Sequence, residues 1–395
     1  MSYKAVPFLF ENARQLEKIS EIALYYGFRP IKAPRVTKDD IFCIHGDTHN
    51  ARIKNKLCPR ENFPHEKISI LRKYVEHNMR DLSEPVMVSY KNHDKDNHTR
   101  FSMDIIGNSK SISEALLIKS AVTILNEQGY EDICVHINSF GKKESLYLFE
   151  REVASYFKKY MQKLSPEARQ AFKENPLSIL SHHRDELEEN VLLNAPQSIS
   201  FLDEKSRDHF KEVLEYLEEL HIPYIIDDSL VGNKDTCCDT VFEIRYKEPA
   251  QKKDLLAYGV RYSPLVKRMN LRRNIPAVGI SLSLKVTRKR PEKQSVETLV
   301  APKFYFVHLG FQAKVKSLDI IEKLRKENVA LLHALTKEKC RNQLSLAEKI
   351  HSPYLIIMGV KEAMEDTVIV RDMTNRSQIV IPTRDLPAYV RKLNK

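Results

Sequence analysis

Apolar residues recur with a helical period between residues 11 and 27, at Leu16, Ile19, Ile22, Ala23 and Tyr26, and the run stops at Gly27. That spacing predicts a helix lying on a core and ending where glycine accepts a left-handed backbone. A broader stripe, formed by Ala115, Leu116, Ile118, Ala121, Val122 and Leu125, predicts a second helix over residues 113–129. Between the two the pattern changes. Pro30 and Pro34 push their predecessors out of the α region, so residues 30–34 read as extended. Residues 41–63 show no period and read as a polar, irregular loop, whereas residues 85–107 read as two strands closed by a tight turn at D-K-D-N. A strand over residues 133–137 follows the second helix. From residue 303 strands and helices alternate: strand F-Y-F-V-H-L, helix 318–327, strand 330–335, helix 342–350, strands 354–358, 367–371 and 378–381, and a last helix from 385. Residues 291–302 have the polar, proline-bounded composition of a linker. The expected organisation is a core over residues 1–290 with a helical segment at about 144–194, a linker at 291–302, and an α/β domain over 303–395.

A chain of 395 residues that is 42% hydrophobic and 30% charged has apolar surface enough for two or three cores, which excludes a disordered protein. No apolar run approaches the roughly 20 residues of a membrane span. Residues 1–3 lead into an amphipathic pattern and not into a signal peptide, so a cytoplasmic protein with no membrane contact is expected. The six cysteines, Cys43, Cys58, Cys134, Cys237, Cys238 and Cys340, are scattered along the chain and read as reduced thiols. Cys43, His45, His49 and Cys58 are metal-ligand types, but C-x-H-x3-H-x8-C fits no structural zinc spacing, so no metal and no cofactor are expected. A formal net charge of +11 favours a polyanionic partner, RNA before membrane. The sharpest basic cluster is K-V-T-R-K-R-P-E-K at residues 285–293. Arg288, Lys289 and Arg290 there, preceded by Lys267, Arg268, Arg272 and Arg273, are the candidate phosphate contacts. A solvated helix end is the plain alternative.

Residues 230–243, L-V-G-N-K-D-T-C-C-D-T-V-F-E, resemble the histidine-binding segment L-V-R-G-L-D-Y-Y-T-G-T-V-F-E of histidyl-tRNA synthetases. Leu230, Val231, Asp235 and the residues from Thr240 to Glu243 keep the frame, while Gly232 stands where that family has an arginine, and Thr236 and Cys237 where it has two tyrosines. The family uses the arginine to stabilise charge on the α-phosphate during histidine adenylation, and glycine carries no charge for this. Likewise F-P-H-E-K-I-S-I-L-R at 63–72 is similar to R-P-E-G-T-A-x-x-x-R, with His65 and Lys67 in place of the glutamate and threonine that hold the amino group of histidine. Y-G-V-R-Y-S-P-L-V at 258–266 keeps Gly259, Arg261 and Tyr262 of G-G-R-Y-D-G-L-V, but has Val260 for the second glycine and Ser263 for the aspartate. In the third class II motif, a strand-to-helix segment in the family, Val286 falls at the ATP-clamping arginine. The second motif's hairpin loop is short by about ten residues and no F-R-x-E string occurs, leaving Arg100 as the arginine near that point.

Further strings extend the resemblance: H-I-N-S-F-G-K-K-E-S after the strand at 133–137, L-S-P-E-A-R-Q-A-F-K-E-N-P-L-S-I-L from residue 164, N-A-P-Q-S, and N-Q-L-S-L-A-E-K with Y-L-I-I-M-G-V-K-E near the C-terminus. The resemblance implies an α/β fold with a class II synthetase-like antiparallel sheet flanked by helices, and a C-terminal anticodon-binding-like domain. The helix and Y-Y-G-F extended segment near the N-terminus are similar to the first class II motif, which implies a homodimer. Losing one oxyanion-type contact typically costs about 100- to 1000-fold, so several together would abolish useful adenylation. The expectation is a catalytically degenerate protein that binds tRNA or another structured RNA, or regulates a partner protein. Two alternatives are a divergent histidine–tRNA ligase using Arg100, Arg261 and Lys285, and a regulatory subunit of a metabolic enzyme like that of ATP phosphoribosyltransferase.

Overall fold

A computed structural model describes residues 15–45, 59–79, 85–93, 98–232, 235–247, 255–269, 275–285, 293–295 and 303–394. The chain opens with β1 (Gln15–Glu17), α1 (Lys18–Tyr25) and β2 (Arg29–Pro30), then α2 (Lys38–His45) and α3 (Pro59–Glu76). The hairpin β3 (Val86–His93) and β4 (His98–Ile106) leads to α4 (Ile112–Glu127) and β5 (Ile133–Ser139). Four helices follow, α5 (Lys143–Phe157), α6 (Pro166–Glu174), α7 (Ser178–His182) and α8 (Glu189–Leu193), covering the segment assigned to helices from sequence. Next come α9 (Glu204–Glu219), β6 (Tyr224–Ile226), β7 (Cys238–Tyr246), β8 (Ala257–Arg261), α10 (Ser263–Arg268) and β9 (Ala277–Lys285), with β10 (Lys293–Ser295) before the C-terminal domain. Capping fixes two of these starts. Ser165 accepts from the Ala168 N–H at 3.1 Å with Pro166 in the first helical position, and Asp203 accepts from Ser206 N–H at 2.7 Å.

Eight strands form one sheet in the order β2-β3-β4-β9-β8-β7-β5-β6. The run from β3 to β5 is antiparallel throughout, and the edge strands β2 and β6 pair parallel. The two-residue period of a strand sorts the side chains. On β4, Phe101, Met103 and Ile105 join Val278, Ile280 and Leu282 of β9 in a core shared with α1, α4 and α9. The alternate residues, Arg100, Ser102 and Asp104, lie on the other face, which α3 covers together with Tyr90 and Val260 of the second core. That polar face is therefore buried, not solvated.

The C-terminal domain contains β11 (Phe304–His308), α12 (Phe311–Lys326), β12 (Leu331–His333), α13 (Cys340–Lys349), β13 (Tyr354–Met358), α14 (Val360–Met364), β14 (Thr367–Asp372), β15 (Gln378–Pro382) and α15 (Leu386–Asn394). Its strands run in the order β12-β11-β13-β14-β15, with β11 parallel to both neighbours and the last three antiparallel. It docks on the core through buried polar links as well as apolar packing: Tyr26 Oη donates to Glu322 Oε2 at 2.6 Å, and Arg325 pairs with Glu127 at 2.5 Å.

Several sequence expectations change. Part of the supposed loop at 41–63 is helical, because Thr37 and Asp40 form reciprocal bonds that open α2, with the Thr37 N–H donating to Asp40 Oδ2 at 2.7 Å. Residues 280–285 continue β9 instead of turning into a helix, since β4 pairs with them as far as Lys285 and β8 as far as Leu282. The linker carries β10, which pairs antiparallel with β1. Helix α12 begins at Phe311, one turn and more before the apolar stripe that revealed it, and α14 was not read from the sequence.

Candidate functional site

The site is the face of the sheet beneath α3. Helical spacing places consecutive Glu66 and Lys67 about 100° apart, so each meets a different strand residue. Lys67 Nζ lies 3.0 Å from Asp104 Oδ1 and 3.0 Å from Oδ2, and also 3.4 Å from the Tyr90 hydroxyl. Its ammonium stacks over the Phe63 ring at 4.7 Å from the centroid. Tyr262 donates to Asp104 Oδ1 at 2.8 Å. Burial pushes the Asp104 carboxyl above its usual range, with Lys67 and the two tyrosine hydroxyls pulling against it. Both tyrosines are in turn pushed well above the ordinary phenol value, chiefly by burial and then by the Asp104 charge.

Gly279 on β9, paired with Asp104 across the ladder, makes this arrangement possible. A Cβ there would stand 2.0 Å from Asp104 Oδ1 and 3.1 Å from Lys67 Nζ. Four residues away on the same face of β4, Arg100 pairs with Glu66, and both are nearly buried. Glu66 Oε2 also accepts from Ser102 at 3.3 Å and from Ser281 at 3.4 Å. The charges under α3 thus meet each other.

Other residues singled out in the sequence fall elsewhere. Arg261 points to the opposite side of the sheet, where Nε donates to Glu114 Oε1 at 2.9 Å and Nη2 to Oε2 at 2.6 Å. His209 of α9 meets the same carboxylate at 2.9 Å. Burial alone would raise the Glu114 carboxyl, but Arg261 and His209 hold it down at about 2. Arg100 and Arg261, offered by the divergent-ligase alternative, are therefore engaged by carboxylates, and Lys285 ends β9 in an exposed position. His65 on α3 is half-buried and Val260 is fully buried among the aromatics of the second core.

Gly232 is buried against the Phe140 ring, and a Cβ at that position would lie 2.4 Å from Phe140 Cζ and 3.0 Å from Cys237 Cβ. The space a side chain would need is filled by a phenyl ring. Thr236 and Cys237 are buried and in contact, Thr236 Oγ1 to Cys237 Sγ at 3.3 Å. Asp235 is exposed and pairs with Arg268 at 3.3 Å. Arg268 also donates to the Ile44 carbonyl, so it ties α10 to α2, while Lys267 beside it is free in solvent. Arg272, Arg273, Val286, Arg288, Lys289 and Arg290 lie outside the described residues, as do His49 and Cys58. Among the described residues no group of three or more metal-ligating side chains converges, and no helix is long and apolar enough to cross a membrane.

The sequence reading missed Glu66, Asp104, Glu114 and Phe140. A signal for the first three was present, since each pairs with a cation the reading had singled out, but only the strand register and the packing of α3 and α4 bring them together.

Residues 303–393 match the anticodon binding domain family. The chain is 27% identical over 386 residues to the histidine–tRNA ligase of Vesicomyosocius okutanii, covering 91% of this chain and 90% of that one. It is 24% identical over 414 residues to the histidine–tRNA ligase of Lactobacillus johnsonii, covering 96% and 95%. The crystal structure of apo S. aureus histidyl-tRNA synthetase superposes with a TM-score of 0.51 at 20% identity, over 94% of this chain and 93% of that chain, which supports the fold. The chain thus matches an anticodon binding domain at its C-terminus and is similar to histidine–tRNA ligases along nearly its whole length.

Proposed function

We propose that this chain is a non-catalytic member of the family that binds tRNA or another structured RNA, acting in the cytoplasm as a homodimer. The observation that carries the reading is the closed set of ion pairs beneath α3, Lys67 with Asp104 and Arg100 with Glu66. Adenylation of an amino acid needs a carboxylate for its ammonium and a cation for the α-phosphate. Here the Lys67 ammonium already occupies the one carboxylate of Asp104, and Arg100 is bound to Glu66. A substrate would have to break a pair with no exposed surface, which costs several kcal/mol. Gly232 and Phe140 support the same reading, because the position that would carry the family's arginine has neither charge nor room.

RNA binding is supported by the net charge of +11 and by the C-terminal match to an anticodon binding domain. The relatives are tRNA ligases by name, and the RNA-facing half of that activity does not require the adenylation chemistry.

Two measurements on the purified chain test the proposal. Bulk tRNA, titrated across salt beside a structured RNA of similar length, should bind with a steep salt dependence. Histidine-dependent exchange of pyrophosphate into ATP should stay at background. Exchange above background would establish a ligase, and a lack of RNA binding near physiological salt would point to a protein partner.

A further inference from the structure

Helix α12 starts at the wall of a cleft of about 220 Å³ between the two domains. Lys110, Glu212 and Tyr216 line the core side, and His308, Phe311 and Lys314 the C-terminal side, with Glu338 at the edge. Gly310, in the left-handed region at φ +90°, precedes the helix, which has no side-chain cap. Gly310 and Phe311 both line the cleft, which puts the start of the helix and the positive end of its dipole at the wall.

A second observation is independent of the helix end. His308 is 1% exposed, and neither of its ring nitrogens has a hydrogen-bond partner. Gln343 fixes the residue by its main chain, accepting from the His308 N–H at 3.0 Å and donating to its carbonyl at 2.9 Å. Burial, reinforced by Lys314 and His333, pushes the imidazole down to about 3, so at neutral pH the ring offers an N–H donor to the cleft. Buried polar groups left unpaired in this way are costly and call for a partner.

Two ammonium groups also line the cleft. Lys314, with its side chain 10% exposed, lies 3.8 Å from Glu338, and Lys110 lies 3.3 Å from the same oxygen. Burial lowers the Lys314 ammonium, countered by the charges of Glu338 and Glu212. Glu212, also in the lining, accepts from Ser111 at 2.5 Å. The two ammonium groups therefore face two carboxylates, and the donors in excess are the helix end and the His308 ring.

We propose that this interdomain cleft is a binding site for the phosphate group of a small ligand, held by the α12 N-terminus, Lys314, Lys110 and the His308 ring. Because the walls come from both domains, an occupied site would clamp the C-terminal domain to the core. The site is separate from the face beneath α3 and does not depend on whether that face is catalytic.

The test is a titration of the full chain, with ¹⁵N-labelled histidine, by inorganic phosphate at constant ionic strength, following the His308 ring signals by NMR and assigning them with His308→Gln. Saturable shifts of His308 are expected, and Lys314→Met should weaken the midpoint about tenfold or more by removing a buried charge-assisted bond. A control, Lys211→Met on the exposed face of α9, should leave it unchanged. No saturable shift up to tens of millimolar, or an unchanged midpoint in Lys314→Met, overturns the proposal. If Lys314→Met fails to fold, Lys110→Met, whose side chain is 55% exposed, replaces it, and an unchanged midpoint there overturns the proposal equally.

Discussion

Lys67 Nζ sits 3.0 Å from both carboxylate oxygens of Asp104, and neither side chain has any exposed surface. The pair is the centre of a cluster in which Tyr262 and Tyr90 supply hydroxyls and Gly279 supplies the room. An ion pair so placed gains little over an apolar pair of equal shape, but it cannot lose one member.

Lys67→Met should therefore destabilise the fold by about 3–5 kcal/mol, because Asp104 is left charged and unpaired. The double variant Lys67→Met with Asp104→Leu should recover most of that loss. Urea unfolding of the three proteins measures both differences. A single variant within about 1 kcal/mol of the parent would mean that the pair does not hold α3 to the sheet.

Gly232→Arg restores a residue type without restoring a site. With Phe140 Cζ 2.4 Å from the new Cβ, the side chain must displace the ring, so the variant should be less stable and show no pyrophosphate exchange. Adding Phe140→Ala should relieve the strain and still leave exchange at background, since Lys67 remains on Asp104. Measurable exchange in either variant would show that one missing charge, and not the closed ion-pair set, blocks adenylation.

The alternation R-F-S-M-D-I in β4 was legible as a hairpin strand, and it is one. What the alternation could not tell is that the polar side faces α3 instead of water, because that depends on the strand order that brings β9 and β8 beside β4 and on α3 crossing over them. For the same reason Lys67 read as a cation facing a ligand, when its partner lies 37 residues away in the next hairpin. Local pattern did carry the C-terminal domain, whose strands and helices follow the order of the sequence reading except for the start of α12, at Phe311 instead of residue 318, and for α14, a five-residue helix too short to show a period. I-S-L-S-L-K, which falls in the family's strand-to-helix motif, is a plain strand alternation, paired with β4 as far as Lys285 and with β8 as far as Leu282.

Acid should weaken the C-terminal domain first. His308 is held down at about 3 and His333 at about 4, both chiefly by burial, so between the ordinary histidine value and those values the unfolded chain binds protons that the folded chain refuses. Stability is then full above pH of about 6.5 and falls by a few kcal/mol as pH drops toward 4. Below about 4.5 a second loss begins as Glu114, held at about 2, is protonated more readily in the unfolded state. Urea midpoints measured from pH 7.5 to 4.5 should decline, and His308→Gln should flatten the decline. A flat profile in the parent would contradict the buried neutral state of both rings.

The docking of the domains makes a separate prediction. Glu322 accepts the Tyr26 hydroxyl at 2.6 Å and is bound by Arg325 at 2.8 Å, so Glu322→Ala would take the carboxylate acceptor from the buried Tyr26 hydroxyl and leave Arg325 with Glu127 as its carboxylate partner. A loss of about 2–4 kcal/mol is expected, with earlier exchange of amide protons in α1 and α12. Unchanged protection across α1 would mean that apolar packing alone carries the interface.

If RNA is the partner, the basic segment after β9 should be read by its salt dependence. Arg288, Lys289 and Arg290 carry charges for as many as three phosphates, whereas Arg268 nearby is committed to Asp235 and the Ile44 carbonyl. Each neutralised phosphate adds about 0.7–0.9 to the slope of log affinity against log salt, so replacing all three by glutamine should lower that slope by about 2–3 and weaken binding uniformly across RNAs. Lys267→Gln, one exposed charge, should change the slope by about 1 at most, and Arg268→Gln should lower thermal stability more than affinity. A triple variant with parental slope would assign those residues to a solvated edge and move the search for the RNA surface to the C-terminal domain.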